Sequence, residues 1–214
     1  MTATLNTSSS SRFPADHRGT VAAIAYASAW AIGLAAFEAG PPADASRTEV
    51  AQFFAARPAS TAVQSLLVHG AAAVALLAVL SVLARAAGSS RVLRAATAAA
   101  IGLSFLQLGL GFGRSLFASG DSITSLANAI ARADGVKMLV LAVVIGEGTR
   151  LLRATDAMSG RGAILGAGAA AALIVSGIAY LAGLHSIYGS AVVSLTLLIA
   201  WVIQAGFAAD RAGR

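Results

Sequence analysis

The 214-residue sequence has no cysteine. That excludes disulfides, thiolate metal ligands and a cysteine nucleophile. Charge is also scarce: Asp, Glu, Lys and Arg make up 11% of the chain, against about 25% in a soluble domain. So few charges do not cover a water-facing surface of this size, and part of the solvent must be lipid. The three histidines, His17, His69 and His185, fall on separate segments, so no metal site is expected. There is no H-E-x-x-H and no phosphate-binding loop. The glycines from Gly109 to Gly113 imitate such a loop, but they lie in an apolar run and lack its Lys-Ser/Thr end. No serine has an identifiable spaced His and acid partner, and no cofactor is expected.

What the chain has instead is apolar length. It is 57% hydrophobic, with a mean hydropathy of +0.79. A helix needs about 20 apolar residues to cross a ~30 Å hydrocarbon core. Charges bound the apolar runs into six such segments, near residues 19–39, 61–84, 95–117, 135–152, 162–183 and 187–208. The fourth is the weakest, because Lys137 and Glu147 lie inside it. The last two come from one uncharged stretch, residues 162–209, with a turn near His185. The expected fold is all-α: a polytopic membrane protein with six transmembrane helices and short amphipathic helices in its outer loops.

Arginine sets the expected direction. Fourteen of the fifteen positive residues are Arg. Arg85, Arg91 and Arg94 crowd one break between apolar runs, and Arg150, Arg153 and Arg161 crowd another. With Arg12, Arg18, Arg211 and Arg214 these make ten on one side, against Arg47, Arg57, Arg114, Arg132 and Lys137 on the other. The positive-inside rule then places both termini in the cytoplasm of a multi-pass cell-membrane protein. The net charge of +6 is spread over loops, with no basic stripe or aromatic platform, so nucleic acid is excluded as a partner. Residues 1–18 are Ser/Thr-rich and expected to be disordered. The first apolar run ends in a poor cleavage site and is expected to stay uncleaved.

The outer loops carry helix signals. Ser46 and Glu49 make a capping box ahead of Val50, Phe53 and Phe54. Asp121 or Ser122 is placed to cap a second short helix bearing Ile123, Leu126 and Ile130. Gly102, Gly109 and Gly113 on the third span, and Gly162, Gly166 and Ala170 on the fifth, have the spacing of close helix packing within the molecule. A homo-oligomer or a membrane partner is the alternative use of those faces.

Ionisable groups at membrane depth mark candidate sites. His69 lies about 10 Å into the second span at ~1.5 Å per residue. Ser104, Gln107, Gly111 and Arg114 share one face of the third span, opposite its glycines. Asp134 and Lys137, at i and i+3, open the fourth and are spaced to pair. Thr61, Ser65 and His69 form a polar stripe on span two. Ser190, Ser194 and Gln204 form another on span six beside Trp201. Candidate ligand-binding residues are therefore His69, Gln107, Arg114, Lys137, Trp30 and Trp201, gathered on the outer side. The leading expectation is that they bind, transport or sense a small or lipophilic ligand. One alternative is a membrane-embedded lyase in which a buried carboxylic acid, Glu38 or Asp134, protonates an alkene or epoxide. Tyr26, Trp30, Phe37, Tyr180 and Trp201 would then wall the cation. The other alternative is a non-catalytic partner or assembly protein.

The chain also resembles uncharacterised small six- or seven-span membrane proteins common in actinobacteria. The likeness rests on residues 41–54, from Pro41 and Pro42 through Ser46 and Glu49 to Phe53 and Phe54. It rests further on Asp134 to Lys137 and on the arginine-flanked break from Arg150 to Arg161. It implies a polytopic helical fold and assigns no activity. In size, span count and scarcity of intramembrane acids the chain is similar to small integral-membrane terpene cyclases. No motif matches them residue by residue.

Overall fold

A computed structural model describes residues 17–38, 40–41, 45–117, 119–184 and 189–213. The expected disordered segment before His17, residues 42–44 of the proline-led segment, and the turn at His185 lie outside them. Among the described residues all regular structure is helical. In chain order the helices are α1 (Arg18–Ala35), α2 (Arg47–Ala55), α3 (Pro58–Ala87), α4 (Arg91–Phe117), α5 (Asp121–Ala154), α6 (Gly160–Ala182) and α7 (Ser190–Ala212). Four of these, α3, α4, α6 and α7, are long and apolar enough to cross a membrane. α1 and α5 pack directly against members of that set: α1 on α3 and α7, α5 on α4 and α6.

Local chemistry explains most boundaries. The Ser46 hydroxyl accepts the Glu49 amide, and the Glu49 carboxylate accepts the Ser46 amide at 2.7 Å, completing the capping box of α2. These bonds also hold the Glu49 carboxyl below its ordinary acidity range. Pro58 starts α3 at a position where its missing N–H costs nothing. Ser90 caps α4 through the Leu93 amide, and Ser159 caps α6 through the Gly162 amide. Gly183 ends α6 in the left-handed conformation at φ 66°.

α1 begins differently. Its first amides, Gly19 and Thr20, each donate to the Asp210 carboxylate of α7 at 2.8 Å, and the Thr20 hydroxyl donates to it at 2.6 Å. A carboxylate from another helix therefore satisfies donors that α1's own sequence leaves orphaned, at the positive end of its dipole.

Two expectations change here. The outer helix at 121–130 and the span at 135–152 are one 34-residue helix, α5, about 51 Å long. Gly135 does not break it, because its bare Cα lets α6 approach: an added Cβ would lie 3.0 Å from the Gly177 carbonyl. Nor does Asp121 or Ser122 cap it. Gly120 holds the N-cap position, and the Ser122 hydroxyl bonds back to Ser119.

Neighbouring helices alternate in direction, so the arginine-rich ends collect on one side. Gly213 abuts Ala86, Arg211 donates to the Ala157 carbonyl, and Arg153 donates to the Met158 carbonyl. Glu147 takes two 2.8 Å bonds from Arg150. The core of this half is Trp201, Leu83, Ile145, Leu152 and Val202, all fully buried. Gly166 packs on Trp201 and Thr149, and Gly162 on Gln204, as the small-residue spacing of α6 predicts. The α4 glycines do not follow suit: a Cβ at Gly102 or Gly109 meets nothing within 4 Å. They face away from the bundle because the opposite face, with Ser104, Gln107 and Gly111, is the buried one.

Candidate functional site

At the end opposite the arginine-rich one, three helices bring polar side chains to one point. Lys137 of α5 donates to Gln107 Oε1 of α4 at 2.5 Å and to Asp134 Oδ1 at 3.0 Å. Its ammonium also lies 3.4 Å from His69 Nδ1 of α3. Gln107 is fully buried and donates its amide to the Ile130 carbonyl at 3.3 Å. Every ammonium proton thus has an acceptor, which is what burial of a cation in a bundle interior requires. The His69 contact is a hydrogen bond in the tautomer that leaves Nδ1 bare and carries the ring proton on Nε2.

The backbone around His69 is itself unusual. Residues Leu66–Ala71 form a π-helical turn within α3, and such turns cluster at functional sites. A second π-helical segment, Gly113–Phe117, ends α4 and carries Arg114. Below the first, α3 and α4 are stitched by small polar groups. Thr61 and Ser115 share a 2.8 Å hydrogen bond, and Ser65 lies against the bare Cα of Gly111.

The polar cluster forms part of the wall of a cavity of about 270 Å³. His69, Asp134 and Lys137 make up its polar lining with Ser194. The remaining wall is apolar or aromatic, including Trp30, Met138, Tyr180 and Leu195. Trp30 brings a buried indole N–H that makes no hydrogen bond of ordinary geometry, with the Tyr26 hydroxyl beside it. The cavity is lined by α3, α5 and α6 together with α1 and α7. α1 and α7 touch near Gly19 and Gly206, and their cavity residues Leu34 and Val192 are 52% and 70% exposed. The exposed part of the rim is therefore apolar.

Of the residues singled out from sequence, His69, Gln107, Asp134 and Lys137 converge, and Trp30 joins them at the cavity. Arg114 stands outside the cavity lining, its guanidinium 3.7 Å from the centre of the Phe54 ring, where it pins α2 to α4. Glu38 is 61% exposed and bonded to Arg57 at 2.5 Å. Trp201 belongs to the arginine-rich half, where its indole donates to Thr149 at 2.9 Å. Met138 carried no sequence signal for the site, and the Ile130 carbonyl that holds Gln107 is invisible to side-chain pattern. Among the described residues no group of three metal-ligating side chains forms. Compared with family models, curated proteins and solved structures, the chain matches none.

Proposed function

We propose that the chain is an integral membrane protein with six spans, α1 and α3 to α7. On this reading it binds a small neutral amphiphile that reaches the cavity sideways from the bilayer. The observation that carries it is the convergence of His69, Asp134 and Lys137 on the wall of an otherwise apolar cavity. The wall's own charges cancel, one ammonium against one carboxylate. A ligand with net charge would bring an uncompensated charge to membrane depth, which is costly. A hydroxyl suits the site: it can donate to the Asp134 carboxylate and accept from the His69 Nε2–H. At about 270 Å³ the cavity sits just under the ~300–1,000 Å³ of drug-sized sites, so the ligand is small or only partly enclosed.

The lyase alternative draws less support. A proton donor to an alkene must be neutral, whereas Asp134 faces an ammonium 3.0 Å away and Glu38 pairs with Arg57 outside the cavity. The test uses three photoreactive probes with one isoprenoid body: an alcohol, its phosphate and its amine. The alcohol should label peptides bearing Met138 and Leu195. His69→Ala should weaken that labelling about tenfold or more, the worth of one hydrogen bond to a polar group held at membrane depth. His69→Gln, which keeps a donor, should lose less. Equal labelling by all three probes, or labelling indifferent to His69, would reject the proposal.

The same reading puts the arginine-rich end in the cytoplasm. α1 and α5 are spans because each is packed into the set of four apolar helices, although α5 carries Lys137, Glu147 and Arg150. An epitope inserted at Ser89 should be protected in intact cells and accessible only after permeabilisation. Surface staining of intact cells would reverse the orientation.

A further inference from the structure

A second, unrelated feature lies in the arginine-rich half. α3 and α4 are joined by a tight turn at Gly88 (φ 84°). They pack closely at their far ends, where Thr61 meets Ser115 and Ser65 meets Gly111. Near the turn they part, leaving a groove of about 580 Å³. Its walls are Leu77, Leu80 and Ala84 of α3 against Leu93, Ala98 and Ile101 of α4. Gly102 lines the end far from the turn and is open, since an added Cβ would meet nothing within 4 Å. Arg94 and Ser89 stand at the end near the turn.

We infer that this groove binds a phospholipid with an anionic headgroup, its chains lying in the groove and its phosphate on Arg94. Charge complementarity supports the head. Arg85, Arg91 and Arg94 surround one turn, and Arg94 has no carboxylate partner among the described residues. Glu147 is engaged by Arg150 through two hydrogen bonds. Guanidinium presents a fork that matches two phosphate oxygens. Dimensions support the tail. From Arg94 to Gly102 the groove runs about 12 Å at ~1.5 Å per residue.

The test reconstitutes the full chain in phosphatidylcholine vesicles. These contain traces of phosphatidylglycerol or phosphatidylcholine with a photoreactive group in the acyl chain, and the labelled peptides are mapped by mass spectrometry. Phosphatidylglycerol should label the peptides carrying Leu77, Leu80, Ala98 and Gly102 about fivefold more than phosphatidylcholine, the worth of one Arg near an anionic headgroup. Arg94→Gln should bring that ratio close to one, Arg94→Lys should leave it between, and Arg47→Gln at the opposite end should leave it intact. Raising salt should lower the wild-type ratio, an arm that needs no variant. A wild-type ratio near one, or a ratio that survives Arg94→Gln, would overturn the inference. So would disulfide-linked dimers of Gly102→Cys formed in place of lipid labelling, which would assign the groove to a second copy.

Discussion

Lys137→Met is expected to destabilise the folded protein by about 3 kcal/mol, the low end of the cost of stranding one member of a buried ion pair. The low end applies because the Asp134 side chain keeps 23% of its surface toward the cavity, while that of Lys137 keeps 7%. Removing the lysine also frees three acceptors at once: Gln107 Oε1, Asp134 Oδ1 and His69 Nδ1. Asp134→Asn should cost a similar amount, since it leaves a nearly inaccessible ammonium with only neutral acceptors. The double variant Lys137→Met with Asp134→Asn should be more stable than the sum of the single losses by about 2 kcal/mol, because neither stranded charge remains. Reversible unfolding of the purified protein in mixed micelles reads all four corners of the cycle. Additive losses would mean that the two groups are held independently and that the ion pair does not organise the cluster. The double variant also separates fold from function: it should fold and still bind the alcohol probe more weakly, because the Asp134 carboxylate is replaced by an uncharged amide oxygen, a weaker acceptor.

Much of this cluster is legible in the sequence. Charge within or beside an apolar run is rare enough that His69, Asp134 and Lys137 stand out by position alone, and helical periodicity puts Gln107 on the polar face of α4. Periodicity says which way a residue points on its own helix. It does not say how far one helix is rotated about its axis relative to another. Arg114 shares the Gln107 face, and periodicity alone assigns it to the same site. Seven residues further along, the π-helical end of α4 instead carries it to Phe54 on α2. Trp201 points inward as expected, but at the other end of the bundle, because a stripe running the length of α7 serves two different neighbourhoods. Ser194, seven residues earlier on the same stripe, does reach the cavity. Asp210 is the residue whose role was most hidden. It ends a 48-residue uncharged stretch, 162–209, yet its partners are the amides of Gly19 and Thr20, and nothing in a sequence pattern connects a side chain to a backbone 190 residues away.

Glycine spacing on α4, unlike that on α6, misleads in the same way, and the consequence is measurable. Gly206→Ala is expected to destabilise the protein by about 1–3 kcal/mol through overpacking, whereas Gly109→Ala should leave its stability unchanged or raise it. Gly109 has the recognisable spacing with Gly113, and Gly206 has no such partner. Yet an added Cβ at 206 would sit 2.5 Å from the Gly19 carbonyl oxygen and 2.8 Å from the Ala23 Cβ, while one at 109 would meet nothing within 4 Å. The atoms in the way at 206 are mostly backbone, so no rotamer change relieves them, and α1 must shift as a body. That shift draws the Gly19 and Thr20 amides off Asp210 and reopens the uncapped end of α1, so the loss spreads beyond the contact itself. It also moves the lower part of the cavity wall, since Trp30 and Leu34 ride on the same helix. Weaker binding of the alcohol probe should therefore accompany the lower unfolding midpoint in Gly206→Ala. At 109 the alanine gains up to about 1 kcal/mol of helix propensity over glycine with no contact to offset it. A stability loss at 109 as large as that at 206 would mean that the outward glycine face of α4 is covered in the assembled protein, and that the spacing read from sequence belongs to an interface between molecules.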